Sequence, residues 1–288
     1  MTMKPIFYIV SLIPISIVRA VLSTMSKTGL YKLSNAYKVT LRNLKMSYIN
    51  LNQNQLEKLA LKSFIETLVS GYETIQSWSR PIHNSGKKIF RVENNFLLNK
   101  YINDGNGVAV IAIHNRSVDM LLKWVNTKSE TTTLYKKVKI KALDRFVKKQ
   151  REGKSNKVYE TNMNGVRKIF QAFKAGKTIC IAADQVPLKG MGEYVKLFNN
   201  DAYTTTLAPS MLYKTKKPGV FICLNSFGNN RLGITIKPTK KGMYKDSEYK
   251  LSLNKSIEEL ININPIDYSW EYKRYRRPPS GEDPYSDI

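Results

Sequence analysis

Three runs of consecutive apolar residues constrain this chain more than anything else in it: "GVAVIAIH" (Gly107 to His114), "TICIAAD" (Thr178 to Asp184) and "GVFICLNS" (Gly219 to Ser226). A strand that is apolar at every position, and not at alternate ones, must be covered on both faces, which is the pattern of parallel or mixed sheets. Between and around them lie segments of helical periodicity, "NFLLNKYIND", "SVDMLLKWVN", "IKALDRFVKKQRE", "NGVRKIFQAFKAGK" and "APSMLYKTK". Further strand-like runs are "IFRVEN", "TTTLYKKV" and "RLGITIKP". This β-α alternation predicts an α/β fold, a mostly parallel or mixed sheet flanked by helices. Upstream, residues 54–76 read as a helix with Leu56, Leu59, Ala60, Phe64 and Leu68 on one face, capped by Asn52 or Asn54. It ends at Pro81 and "HNSG"; His83, in that turn, has no carboxylate nearby and is assigned no role.

The N-terminus stands apart. "PIFYIVSLIPISIVRAVLSTM", Pro5 to Met25, is almost wholly apolar, broken by Pro14 and Arg19. It is about the 20 residues that cross a bilayer, although the proline and the arginine weaken a clean span. Lys27, Lys32, Lys38 and Arg42 follow, and positive residues favour the cytoplasmic side. Residues 1–26 therefore read as a membrane-anchoring helix, either single-pass or lying in the interface, with 27–288 as one folded domain in the cytoplasm. The 47 Lys and Arg against 22 Asp and Glu give a net charge of +25, a surface suited to nucleic acid, anionic headgroups or an acidic protein. The chain shows no nucleic-acid-binding motif. Cys180 and Cys223 sit in strand-like runs with no ligand partner at metal spacing, and read as small core residues.

One apolar run ends in chemistry-bearing residues, "IAIHNRSVDM". His114 at the strand end and Asp119 in the first turn of the next helix would bring an imidazole and a carboxylate together. The carboxylate would fix the ring's tautomer, and the ring would serve as general base toward a hydroxyl. With 2 His and 22 acidic residues, chance supplies about 0.15 such pairs, so spacing alone is weak. In sheets of this kind ligands bind beyond the carboxyl ends of the strands, where "IAIHNRSVD" and "IAADQVP" both place polar residues.

The ordered series of segments is more specific. "AIHNRSVD", "GVRKIFQAFKAGKTICIAADQVPLKG", "GEYVKLFNNDAYTTTLAPSML" and "PIDYSWEYKRYRRPP", with "LRNL" at Leu41 to Leu44, resemble the bacterial lipid A biosynthesis acyltransferases that add lauroyl or myristoyl chains. That family lies within the wider H-x4-D/E glycerolipid acyltransferases. The resemblance spans nearly the whole chain. It implies an acyltransferase domain over 27–288, at the cytoplasmic face of a bacterial inner membrane. The donor would be a thioester on acyl carrier protein and the acceptor a hydroxyl of a phosphorylated glycolipid, with no further cofactor. His114 would be the general base and Asp119 its orienting partner. Arg151 falls near the family's functional arginine, with Arg145 competing. Asp184 and Gln185 would line the site, Arg116 would meet a substrate phosphate, and Arg274 would bind substrate. The run Lys273 to Arg277 is also suited to membrane phospholipid.

Some positions depart from the family pattern. Asp119 stands where this branch more often has Glu, Asn199 replaces a glycine after Phe198, Leu207 lies near a second missing glycine, and Tyr272 stands where many members have His. These changes bear on chain length and acceptor more than on the reaction. The same fold acting on a lysophospholipid or another glycolipid is the alternative. A non-catalytic basic protein of the membrane surface is a further one, and it predicts no special role for His114.

Overall fold

A computed structural model describes residues 4–80, 89–153, 155–228 and 230–288; His83 lies outside the described residues. Helices α1 (Lys4–Ser11), α2 (Ile15–Lys27), α3 (Asn35–Ser47) and α4 (Gln53–Ser79) lead into the expected alternation. Strand β1 (Ile89–Glu93), helix α5 (Asn95–Asn103), β2 (Ala109–Ala112), α6 (Val118–Asn126), β3 (Thr131–Tyr135), α7 (Lys141–Glu152), β4 (Lys157–Glu160), α8 (Met163–Lys174) and β5 (Thr178–Ala182) follow in order. A hairpin of β6 (Gly192–Leu197) and β7 (Asn200–Thr205) precedes α9 (Leu207–Thr215), β8 (Gly219–Phe227), β9 (Arg231–Pro238) and α10 (Tyr249–Ile261).

Seven of these strands form one sheet in the order β1-β9-β8-β2-β5-β3-β4. All pairings are parallel except β8 with β9, so the sheet is mixed and mostly parallel, as the apolar runs predict. The alternating residues of each central strand serve two cores. Ala109, Ile111, Ile179, Ile181, Phe221 and Cys223 pack with residues of α3, α4, α8, α9 and α10. Val110, Cys180, Val220 and Ile222 pack beneath α5 and α6. Both cysteines are buried, and burial pushes each thiol up to about 12, consistent with inert core residues. Gly176 ends α8 with φ 80, the left-handed conformation in which a residue with a Cβ is strained.

Helix α4 runs longer than its apolar periodicity suggests. Asn52 is its cap: the side chain accepts from Gln55 N at 2.9 Å, and Gln55 Oε1 accepts from Asn52 N at 2.9 Å, a reciprocal capping box. Among the described residues no single helix is long and apolar enough to cross a membrane; α1 and α2 form a pair bent by 81°. The first helix ends at Ser11, and Pro14, three residues on, occupies the N-cap of α2. The pair lies against α4 and is tied to it. Tyr72 Oη donates to Ile13 O, Gln76 Nε2 donates to Ser11 O at 3.2 Å, and Arg80 donates to Ser11 O. Phe7 packs between Trp78 of α4 and Phe146 of α7, with ring centroids 5.9 and 5.4 Å away. Its other side is apolar and uncovered, with Ile6, Ile9, Leu12, Ile17, Val21 and Met25 all at least half exposed.

Four segments carried no strong periodic signal: α3, β4, α10 and the β6–β7 hairpin. The hairpin explains one departure in the sequence. Leu197 pairs with Asn200, so its loop is the two residues Phe198 and Asn199, at φ 46 and φ 63. A two-residue loop with both φ positive is a type I′ turn, whose second position favours glycine and tolerates asparagine. Phe198 in this conformation is costly. Its ring is held by Tyr48 and Trp270 at centroid distances of 5.4 and 6.0 Å, and its N–H donates to Glu258 Oε1 at 2.8 Å. Restoring glycine at the second position relieves strain without touching these contacts. Asn199→Gly is expected to stabilise the protein by about 0.5–1 kcal/mol, read as a higher melting temperature; an unchanged or lower one would contradict the turn assignment.

Candidate active site

Strands β2 and β5 are parallel neighbours in which Ala112 is level with Ala182. Each runs two residues further before its polar end, which sets His114 beside Asp184. The Asp184 carboxylate takes the ring nitrogen Nδ1 at 2.7 Å through Oδ1 and the backbone N–H of the same histidine at 2.9 Å through Oδ2. The carbonyl of His114 accepts from Ser269 N at 3.0 Å, so the strand end is held on three sides. Gln185 Nε2 lies 3.3 Å from His114 Nε2. With Nδ1–H donated to the carboxylate, Nε2 carries the lone pair and accepts from that amide.

Burial alone would push the His114 ring below its ordinary value. The charge of Asp184 and its hydrogen bond outweigh this, Arg151 opposes them, Glu271 adds to them, and the net shift is upward. For Asp184 burial works to raise the pKa, yet His114 and the backbone N–H groups win and hold it below the usual carboxylate range. Such a pair stabilises an imidazolium once the ring has accepted a proton.

This geometry corrects the expectation for Asp119. Its carboxylate does not orient the ring; it forms a two-pronged pair with Arg151, from Nε at 2.6 Å and Nη2 at 2.9 Å. Asp119 sits in the first turn of α6, capped by Ser117, and Arg151 in the last turn of α7, so each helix dipole favours the charge placed there. Arg151 is only partly buried, and Nη1 is left without a protein partner among the described residues. The competing Arg145 is exposed on the far side of α7.

Two further expectations are corrected. Arg116 does not reach a substrate phosphate: its side chain is fully buried among Glu66, Glu73 and Asp267. Arg274 is likewise interior, donating to Tyr203 O at 3.0 Å and Thr204 Oγ1 at 2.8 Å. An arginine bound for a phosphate and one bound for a buried carboxylate or carbonyl are the same letter in a sequence. Their partners here stand 43 to 151 residues away in one case and 70 to 71 in the other.

His114, Gln185 and Arg151 all line one cavity of about 360 Å³. Its floor is the face of the sheet made by Val110, Ala112, Cys180, Ala182 and Ile222, and its roof is Val118, Leu121, Leu122 and Val125 of α6. The two alanines lie at the carboxyl end of their strands, where their small side chains leave room next to the histidine. The result is a largely apolar cavity with the His114 ring on its wall, in the size range of small-molecule sites. Glu271 was not singled out by sequence reasoning. It is a part-buried carboxyl held by Thr67 Oγ1 at 3.0 Å, raised above its ordinary value mainly by burial and electrostatically coupled to His114. Nothing about its spacing in the chain distinguishes it.

Asp184→Asn removes the charge that raises the ring, so the His114 titration is expected to move to lower pH. The only other histidine, His83, serves as an internal reference in an NMR titration. An unmoved His114 titration would show that Asp184 does not control the ring.

The family model described as bacterial lipid A biosynthesis acyltransferase matches residues 5–277. The chain is similar to a lipid A biosynthesis palmitoleoyltransferase of Escherichia coli strain K12, 23% identical over 246 residues, which is 84% of this chain and 79% of the relative. It is similar to the same extent to a lipid A biosynthesis acyltransferase of Shigella flexneri, with 23% identity and the same coverage.

Proposed function

The chain belongs to the bacterial lipid A biosynthesis acyltransferase family, and from that premise we propose that it moves a fatty acyl chain from an acyl-carrier-protein thioester to a hydroxyl of a lipid A precursor. The observation that carries this reading is the His114 ring on the wall of the apolar cavity, its Nε2 beside Gln185. The acyl chain lies in the channel between the sheet and α6, which puts the thioester carbonyl at the histidine. The acceptor hydroxyl displaces the Gln185 amide and gives its proton to Nε2. Its oxygen attacks the carbonyl carbon, the C–O bond forms, and the C–S bond breaks as the tetrahedral intermediate collapses. The imidazolium, stabilised by Asp184, returns the proton to the leaving thiolate. Arg151, braced by Asp119, offers Nη1 to the oxyanion. No cofactor beyond the donor enters these steps.

The membrane-facing part of the reading rests on the uncovered apolar side of α1 and α2. We place this face in the cytoplasmic leaflet of the inner membrane, with the helices in the interface and the basic body beside anionic headgroups. Residues 1–26 then act as the anchor and 27–288 as the acyltransferase domain, although the two are packed together.

The defining assay supplies a labelled lipid A precursor with carrier thioesters of several chain lengths. His114→Ala is expected to lower kcat by on the order of 10²- to 10⁴-fold; product formed at an unchanged rate would sink the role of the ring. If a lysophospholipid is acylated and the lipid A precursor is not, the acceptor is wrong and the reaction stands.

Ala182 faces the channel and is exposed to it, so Ala182→Leu fills space without overpacking the core. It is expected to cut transfer of long chains at least about tenfold, a loss of some 1.4 kcal/mol, and to spare a four-carbon donor. Equal loss with both donors would place the chain elsewhere.

Ile9→Asp with Ile17→Asp puts charge on the outward face while leaving the α4 contacts alone. The variant is expected to lose sedimentation with anionic vesicles. Undiminished sedimentation would assign membrane binding to the basic body instead.

A further inference from the structure

Among the described residues, every Lys, Arg, Asp or Glu lining the cavity is a cation: Lys136, Arg151, Arg276 and Arg277. Arg151 is committed to Asp119. Arg276 and Arg277 are different: both belong to the run Lys273 to Arg277 read as suited to membrane phospholipid, and neither was read as meeting a substrate. Both are half-buried, and both are held by aromatic rings and not by carboxylates. Arg276 lies over the ring of Tyr272, 5.1 Å from its centroid, and among the described residues nothing accepts from its guanidinium. Arg277 lies 5.8 Å from the centroid of Tyr203 and donates one N–H, from Nη1, to Pro187 O at 2.8 Å.

The two rings are themselves pinned to one loop, the one that follows Asp184 and Gln185. Tyr272 Oη accepts from Val186 N at 3.0 Å, and Tyr203 Oη accepts from Gly190 N at 3.0 Å and Gly192 N at 3.2 Å. Two planar guanidinium groups thus line the same cavity as His114, with most of their N–H groups unspent. An arginine lying over an aromatic ring keeps N–H groups free for a planar, two-pronged acceptor. A phosphate oxygen pair fits that need.

We propose that Arg276 and Arg277, placed beside the Tyr272 and Tyr203 rings, bind a phosphate group of a substrate where they line the cavity. This rests on the acyl-transfer reading of the same site. Two sources present that chemistry: the headgroup phosphate of the glycolipid acceptor and the phosphate in the prosthetic arm of the acyl donor. The pair sets which substrate is held and where, and takes no part in bond making.

The test uses the full chain with Arg276→Gln, Arg277→Gln and the double substitution; glutamine at 277 can still donate to Pro187 O. Kinetics are measured with the phosphorylated acceptor and its dephosphorylated form, and with a carrier thioester and an acyl-pantetheine thioester lacking the phosphate. The double variant is expected to raise KM for one phosphate-bearing substrate by about tenfold or more, the loss of one charged hydrogen bond, with kcat within about twofold. The effect should vanish with the phosphate-free form of that substrate, and the substrate concerned identifies the source. Equal KM losses with and without phosphate, or none, overturn the proposal. Binding of glucosamine 1-phosphate against glucosamine, and of pantetheine 4′-phosphate against pantetheine, gives a readout independent of turnover. If no acceptor is acylated by the unaltered protein, the acyl-transfer reading fails while this titration still decides the pair. Loss of the phosphate preference in the double variant supports the pair, and no preference in the unaltered protein overturns it.

Discussion

A guanidinium without water needs partners for its charge and its N–H groups, and Arg116 meets that demand with carboxylates. Its Nε donates to Glu73 at 3.2 Å, its Nη1 reaches Asp267 at 3.5 Å, and Glu66 and Glu73 complete the shell. The partners come from α4 and from the short turn before Tyr268, so one side chain ties three distant parts of the chain at a position two residues after His114. Its backbone, at φ 54, turns the strand end away, and its N–H donates to Asp267 O at 3.0 Å. Asp267 in turn receives Ser226 N at the end of β8, at 2.6 Å. Stripping one partner from such a cluster costs about 3–5 kcal/mol, because the others remain buried and uncompensated. The charge is there to fix the turn from which the histidine emerges.

The elements of the sheet were readable because burial on both faces leaves a composition that no solvent-exposed segment shares. Strand order was not readable, because a parallel sheet takes its order from crossovers whose direction no local residue encodes. That is why Asp119, five residues from the ring, was the natural partner, and Asp184, seventy residues away, supplies the contact. The register of β2 on β5 decides it. Strand β4 and helices α3 and α10 escaped the periodic reading, since half-polar segments take their structure from what covers them.

The lost glycines behave differently from each other. Asn199 keeps the left-handed backbone that glycine would supply, because its short polar side chain is the best substitute there. Leu207 opens α9 and lines the cavity, so that position now shapes the site as well as the backbone. A change that looks like erosion of a motif is, at the first position, conservation of a conformation by other means.

Glu66 is shared. One oxygen pair serves Arg116 beneath the histidine and Arg19 of α2, whose Nη2 donates at 2.8 Å. Removing the first two helices would therefore do more than free the body from a bilayer. It would take Arg19 away from Glu66, which among the described residues it shares with Arg116, and would remove the partners that Tyr72, Gln76 and Arg80 find in Ser11 and Ile13. A shortened chain is a protein with a different electrical interior under its histidine, and comparing it with the full chain compares two enzymes, not one enzyme on and off a membrane.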